Sequence, residues 1–216
     1  MKFILVSTNE STTGGVESTH QFGNAIKRLG YECEMFYVGK SNKAKDHFNF
    51  YGVPAAKEID DHEDNVVIFP EIMTNLIKDI HYAKKGIFWL SVDNYFYRKR
   101  ENIFLDKFNQ IRSLIGGRLT LSKMKDFIHL AQSQYSADFL KSNNLESFYI
   151  GDYLNDDFIK TIERDKNTIK KQKKVVFNPS KGKRFTRLFI DLFPDIEMVP
   201  LINMSREEVI KNLKSS

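Results

Sequence analysis

Cysteine is nearly absent from this chain, with Cys33 as the only one among 216 residues. A single cysteine excludes an intrachain disulfide and any zinc site built from several thiolates, and it favours a reducing, cytoplasmic setting. Proline and glycine are also scarce, at 5 and 11 residues, whereas 41% of the residues are hydrophobic and 28% are charged. This composition predicts a globular, soluble protein rather than a fibrous or disordered one.

Long hydrophobic runs are missing as well. The opening run at 3–6 is shorter than the roughly 7 to 15 apolar residues of a signal-peptide core, which argues against export. The apolar run at 87–92 is far shorter than the roughly 18 residues of a membrane span. We therefore expect a cytoplasmic protein whose membrane contact, if any, is peripheral and at the inner face.

The positive charge is concentrated in one segment. The chain has 33 Lys and Arg against 28 Asp and Glu, for a formal net charge of +5. Residues 160–187 hold eleven of the basic residues and only two acidic ones, so the rest of the chain is net negative. A protein that binds duplex nucleic acid usually spreads its phosphate contacts along a face or a recognition helix. We therefore expect no nucleic-acid partner.

Alternating strand and helix patterns predict an α/β fold with a parallel, Rossmann-like sheet over residues 1–155. Short apolar or alternating runs predict strands at 2–8, 31–38, 66–69, 87–92, 130–132 and 148–150. Apolar residues at helical spacing predict helices at 17–29, 74–84, 101–115 and 136–141. Gly30 directly follows the first of these helices, where a glycine commonly ends one.

A charge-rich, weakly patterned segment at 156–174 is the predicted linker to a second unit at 175–216. This unit has the pattern of an incomplete Rossmann-like βαβα arrangement, with strands at 175–177 and 197–201 and helices at 183–193 and from Ser205, where a capping box is predicted. Two parallel strands are too few for an independent sheet. Either the first domain or a partner covers this half-sheet, or the sequence is a shortened version of a longer protein.

A pair of glycines, Gly14 and Gly15, joins the first predicted strand to the first predicted helix. In a doubly wound fold such a turn exposes backbone N–H groups and the positive end of a helix, which suit an anionic or sugar ligand. The alternative is that the glycines only permit a tight turn. Neither a G-x-G-x-x-G nor a P-loop motif is present.

Polar residues follow two of the predicted strands. Asp93 and Asn94 come after the strand at 87–92, at the edge where open α/β sheets bind ligands, and Asp93 is a candidate general base. Glu71 lies just past the strand at 66–69 and is a candidate binding residue on the same grounds. The alternative role for these side chains is to cap a helix or a turn.

A basic turn precedes the predicted helix at 183–193. Lys181 and Gly182 have the pattern of a phosphate-contacting turn, and Lys183, Arg184 and Arg187 add positive potential around it. A diphosphate would suit this turn, and the alternative is a solvated basic helix face.

Other kinds of chemistry lack support. The five histidines have no metal-ligand spacing, so we expect no metal site. No G-x-S-x-G elbow is present for a serine nucleophile. Cys33 falls inside a predicted strand, which favours a buried, unreactive thiol.

Several segments together resemble retaining nucleotide-sugar glycosyltransferases of the GT-B fold, of the group 1 or family 4 type. The strand at 2–6, the Gly-Gly turn at 14–17 and the helix end and strand start at 25–34 resemble the opening of these enzymes. The segment at 131–136 is similar to one near the end of their first domain, and 177–182 to the strand and turn that open their donor domain. The resemblance covers nearly the whole chain.

The resemblance implies transfer of a sugar from a nucleotide diphosphate-sugar to a polysaccharide or lipid-linked acceptor, with no further cofactor. It implies that the acceptor binds the first domain and the donor binds the second. Gly14 and Gly15 would then approach the donor phosphates or the acceptor. Lys181 would match the lysine that neutralises the leaving diphosphate, with Gly182 and Arg184 beside it.

Two departures from the family pattern affect the expected activity. Asp93 and Asn94 stand in the neighbourhood where many relatives have a histidine, and they are our candidate catalytic residues. The family's pair of acidic residues on the donor domain would lie beyond Ser216. We therefore expect the chain alone to have little or no transferase activity, and a chain that completes the donor domain is an expected partner. The alternative function is a non-catalytic binding subunit that retains the acceptor-domain fold.

Overall fold

A computed structural model describes residues 1–39, 46–96, 117–154, 158–160, 163, 170–179 and 182–216. The chain forms two compact units, Met1–Tyr153 and Leu154–Ser216. The predicted helix at 101–115 and much of the predicted linker at 156–174 lie outside the described residues.

A six-stranded, fully parallel sheet organises the first unit, with strand order β2-β1-β3-β4-β5-β6. The strands are β1 (Lys2–Thr8), β2 (Glu32–Val38), β3 (Val66–Pro70), β4 (Lys84–Trp89), β5 (Ile128–Ala131) and β6 (Phe148–Tyr149). The α-helices are α1 (Gly14–Arg28), α2 (Val92–Tyr95) and α3 (Gln134–Ser142), and 3-10 helices span Asp46–Tyr51, Glu71–Asp79 and Leu121–Met124. The predicted α/β class and parallel sheet are confirmed, and the strand order is consistent with a Rossmann-like arrangement.

The sheet is covered on both faces, as its apolar sequence requires. Successive strand residues point to opposite faces, so the central strands contribute to two separate hydrophobic clusters. One cluster contains Ile4, Val6, Val67, Phe69, Ile87 and Trp89, together with residues of the 3-10 helix Glu71–Asp79 and of α3. The other contains Leu5, Met35, Ile68, Phe88 and Leu130, together with Ile26 of α1. The central strands are therefore buried on both faces, and the core holds their carboxyl ends in place.

Two predicted elements differ from the structure. The strand predicted at 87–92 is β4, which begins at Lys84 and ends at Trp89, and Val92 instead begins α2. The side chain of Ser91 accepts a hydrogen bond from the Asn94 N–H and so caps α2, which ends the extended conformation before Val92. The helix predicted at 74–84 is the 3-10 helix Glu71–Asp79, with non-helical backbone angles at Met73.

Asp61 joins two loops at the amino edge of the sheet. Its Oδ2 accepts a hydrogen bond from the His81 N–H at 2.7 Å, and its Oδ1 accepts from the Tyr82 and Ala83 N–H groups at 3.0 and 2.7 Å. Desolvation opposes the charged carboxylate, but these three donors outweigh it and lower the pKa of Asp61. Asp61 thereby holds the loop before β3 against the residues that lead into β4.

We expect Asp61→Ala to lower the free energy of unfolding by about 2 kcal/mol, because three backbone N–H groups lose a charged acceptor. Urea unfolding of the purified chain measures the loss. The matched control is Asp60→Ala, whose carboxylate makes only a solvent-exposed ion pair with Lys2 at 3.7 Å. An equal effect of the two substitutions would contradict this role for Asp61.

The second unit contains a two-stranded parallel sheet of β7 (Lys174–Phe177) and β8 (Glu197–Pro200) with helices α4 (Lys183–Leu192) and α5 (Arg206–Ser215). The predicted capping box is confirmed, since Ser205 Oγ accepts from the Glu208 N–H and Glu208 Oε2 accepts from the Ser205 N–H. Within the described part of this unit, Ile210 is the only buried hydrophobic side chain, and α4 has no buried residue. The second unit therefore has a much thinner core than the first.

Candidate functional site

The carboxyl ends of β1, β3, β4 and β5 lie along one edge of the sheet in the first unit, because all its strands are parallel. β2 lies on one side of β1, and β3 and the later strands lie on the other side. The strand order therefore reverses between β2 and β3. Such a reversal is the usual ligand position in open α/β sheets. The loops that follow these four strands form the candidate site.

Gly14 and Gly15, predicted as a turn before the helix, are instead the first two residues of α1, and the start of this helix lies close to the loop after β4. A Cβ atom on Gly15 would lie 3.3 Å from Leu90 Cδ1, whereas a Cβ atom on Gly14 would meet nothing within 4 Å. Thr13 precedes the helix without giving it a side-chain cap. Gly15 thus permits close packing, and Gly14 faces open space beside the positive end of a helix.

Glu71 is a buried carboxyl group at this edge, with 1% of its surface exposed. Its Oε2 accepts a hydrogen bond from the Leu90 N–H at 3.0 Å. Desolvation raises the pKa of Glu71 to about 7, against the opposing effects of the Leu90, Glu71 and Ser91 N–H groups and the charge of Arg118. Glu71 therefore holds the loop after β4 in place and exchanges a proton near neutral pH.

Asp93 and Asn94 lie in α2 and differ in what they contact. Asp93 is half-buried, and its Oδ1 accepts a hydrogen bond from the Tyr135 hydroxyl at 3.2 Å. Asn94 is exposed, and its carbonyl oxygen accepts from Arg118 Nη1 at 2.5 Å. The side-chain cap of α2 comes from Ser91, which accepts from the Asn94 N–H.

Gln132 connects the segments after β5 and β6 to helix α1 and was not among the predicted site residues. Its Nε2 donates to Ser18 Oγ of α1 at 3.1 Å and to Asp152 Oδ1, in the segment after β6, at 2.5 Å. Gln132 directly follows β5, and Asp152 lies just past the predicted strand at 148–150, so the rule that selected Asp93 and Glu71 would also have selected them. Ser18, inside α1, carries no comparable local signal.

The remaining predicted site residues belong to the second unit. Gly182 has a left-handed backbone with φ of 56° and precedes α4, and Arg184 is exposed in the first turn of that helix. Lys181 lies outside the described residues. The glycine at 182 is suited to this backbone, which other residues rarely adopt.

Two buried histidines and the cysteine serve the core of the first unit. His20 bonds through its ring nitrogens to the Val16 carbonyl and the Tyr37 hydroxyl, and His129 Nδ1 accepts from the Trp89 indole N–H at 2.9 Å. Burial lowers the pKa of both histidines and raises the pKa of Cys33 to about 12. The expected burial of Cys33 is confirmed, and its raised pKa agrees with the expected unreactive thiol.

Comparison with known proteins adds no family to this description, since neither a protein-family model nor a curated protein sequence matches the chain. Across the ranges that the structure describes, no group of three or more His, Cys, Asp or Glu side chains is placed to hold a metal ion. Any functional proposal therefore depends on the residues of the site and on the sequence motifs.

Proposed function

We propose that this chain is derived from a GT-B nucleotide-sugar glycosyltransferase and that the carboxyl edge of its first unit takes part in transferring a sugar to a polysaccharide or lipid-linked acceptor. The observation that carries the proposal is the convergence on Leu90, whose N–H donates to Glu71 and whose side chain lies so close to Gly15 that a Cβ atom there would be 3.3 Å from Leu90 Cδ1. This convergence brings the Gly-Gly turn, a buried carboxyl group and the segment that bears Asp93 to one place. Because the sequence motifs resemble those of GT-B glycosyltransferases, we propose that the residues at this place take part in sugar transfer.

The chemistry of sugar transfer suits these groups. A new bond forms between the anomeric carbon and an acceptor hydroxyl oxygen, and the bond from that carbon to the leaving diphosphate breaks. In our proposal Asp93 receives the hydroxyl proton as general base. The departing diphosphate gains negative charge, which a lysine neutralises in the family that the motifs resemble, and Lys181 with Arg184 beside it is the match to that lysine in this sequence.

Binding of nucleoside diphosphates tests the donor part of the proposal. We expect uridine, guanosine or adenosine diphosphate to raise the melting temperature, with a stabilisation of about 2.7 kcal/mol at a ligand concentration one hundred times Kd. Lys181→Ala and Arg184→Ala should abolish this shift. Lys141→Ala, which removes an exposed cation of the first unit, is the control and should leave it unchanged.

Gly14→Val tests the Gly-Gly turn. Because a Cβ atom at this position meets no protein atom within 4 Å, the variant should fold as stably as the native chain. Side-chain carbons in that space would nevertheless obstruct a ligand, so we expect its Kd to rise by at least about 10-fold. Titration calorimetry with the stabilising ligand measures the change, and unaltered affinity would show that the turn does not contact the ligand.

The second candidate is a non-catalytic binding subunit that retains the acceptor-domain fold. The thin core of the second unit, in which Ile210 is the only described buried hydrophobic side chain, favours this candidate. Labelled nucleotide-sugars and saccharide acceptors distinguish the two. Turnover that Asp93→Asn abolishes supports the enzyme, whereas nucleotide binding without turnover supports the subunit.

A further inference from the structure

Helix α4 presents an apolar stripe to solvent. Phe185, Leu188 and Leu192 are 71%, 55% and 62% exposed. They are spaced by three and then four residues, which places them on one side of the helix. Exposed apolar side chains are common singly, but three on a single helix face form a patch that calls for an explanation.

Part of α4 packs on its own sheet. Thr186, Phe189 and Ile190 line a small apolar cavity together with Val175 and Phe177 of β7, and Phe185 lines the same cavity. These residues account for the attachment of the helix to the second unit. Leu188 and Leu192 do not line the cavity, and Phe185 is still 71% exposed, so the stripe presents apolar surface beyond what the fold uses.

Two cations lie beside the stripe. Lys183, Arg184 and Arg187 are all exposed, and Asp191 is the only carboxylate of α4. At 3.6 residues per turn, Arg184 and Arg187 lie on the helix face next to Leu188, whereas Lys183 lies on the far side of the helix from the stripe. An apolar face bordered by Lys and Arg is typical of a helix that lies in the interface of an anionic membrane.

We propose that α4 docks on an anionic lipid surface. Phe185, Leu188 and Leu192 enter the boundary between headgroups and acyl chains, while Arg184 and Arg187 contact lipid phosphates. An anionic bilayer offers acyl chains to the apolar stripe and phosphates to the cations. Duplex nucleic acid would pair with the cations but leave Leu188 and Leu192 in water. None of the helices in the described ranges is long and apolar enough to cross a bilayer.

This docking goes beyond sugar transfer and is tested without any nucleotide-sugar. The full chain is sedimented with vesicles of phosphatidylcholine alone and with vesicles that also contain phosphatidylglycerol. We expect binding only to the anionic vesicles, and we expect added salt to weaken it because salt screens the cations.

Two kinds of variant separate the two halves of the surface. Arg184→Glu with Arg187→Glu should weaken the partition onto anionic vesicles at least about 25-fold, from about 5-fold for each cation. Leu188→Ser with Leu192→Ser should weaken it at least about 10-fold, since the apolar contact is lost. Both leucines are more than half exposed, so the variants should unfold at the same urea concentration as the native chain.

Matched controls lie in the first unit. Lys123→Glu with Lys141→Glu reverses two exposed cations, and Leu29→Ser removes a leucine that is 75% exposed. These controls should bind vesicles as the native chain does. Equal loss in the controls, binding to phosphatidylcholine alone, or native binding by both α4 variants would each overturn the proposal. A dimer in light scattering that Leu188→Ser dissociates would overturn it in favour of a second copy of the chain.

Discussion

Glu71→Gln is expected to stabilise the chain above neutral pH. Between pH 4.5 and about 7, the native state holds a proton on Glu71 that the unfolded state has released, so the free energy of unfolding decreases as the pH rises through this range. The decrease amounts to about 3 kcal/mol when complete. Glutamine has no charge to bury, so this part of the pH dependence should disappear in the variant.

Urea unfolding at a series of pH values measures the effect. The fluorescence of Trp89, the sole tryptophan and fully buried, reports the transition. The free energy of unfolding of the variant, relative to that of the native chain, should increase steadily from acid pH to about pH 8, where the Glu71 carboxyl is charged in the native chain. Glutamine adds an NH2 group that needs a hydrogen-bond partner, which changes the stability of the variant at every pH. The test is therefore the pH dependence of the free energy of unfolding and not its value at one pH.

Glu146→Gln is the control for the loss of one negative charge, because Glu146 is exposed. Parallel pH profiles for Glu71→Gln and the native chain would contradict the buried, proton-exchanging carboxyl group. A stabilising variant that loses sugar transfer or ligand binding would identify Glu71 as a residue retained for function at a cost in stability.

Gly23→Val is expected to lower the free energy of unfolding by about 3 kcal/mol. Gly23 is buried in α1, and a Cβ atom there would lie 3.1 Å from Val53 Cγ2 and 3.2 Å from Leu5 Cδ1. Valine adds two further carbons to that contact, so α1 must move away from β1. Urea unfolding of the variant gives the loss directly.

Gly14→Val provides the matched control in the same helix, since it makes the same chemical change in open space. We expect this control to change the free energy of unfolding by less than about 0.5 kcal/mol. Similar losses at the two positions would contradict packing against β1 as the cause, because valine has a higher helix propensity than glycine and propensity alone would not destabilise either variant.

The sequence predicts the strands of the first unit well where they are uniformly apolar. The strand predicted at 2–8 coincides with β1, and the one at 66–69 differs from β3 only by Pro70. β4 begins three residues earlier than predicted, because Lys84 and Lys85 pair with Val66 and Val67 while their side chains reach toward solvent. A strand prediction based on runs of apolar residues therefore misses Lys84 and Lys85 at the start of β4.

The candidate site is predictable only where a local rule applies. Glu71 and Asp93 follow strand ends, and parallel strands bring those ends to one edge. The contact of Gln132 with Ser18 and Asp152 depends instead on which loops meet in space, and the sequence separation of 114 residues between Gln132 and Ser18 leaves no local pattern. The proton exchange of Glu71 depends on its burial, which the sequence around it does not indicate.

The interior position of β1 has a consequence for protein synthesis. β1 is translated before either of its neighbours, yet it pairs on one side with β2 and on the other with β3, which starts at Val66. Until Val66 has been translated, one edge of β1 exposes unpaired backbone groups along an apolar strand. An unpaired edge of this kind is prone to pair with another nascent chain. Rapid translation of the segment between β1 and β3 therefore shortens the time during which this edge is exposed.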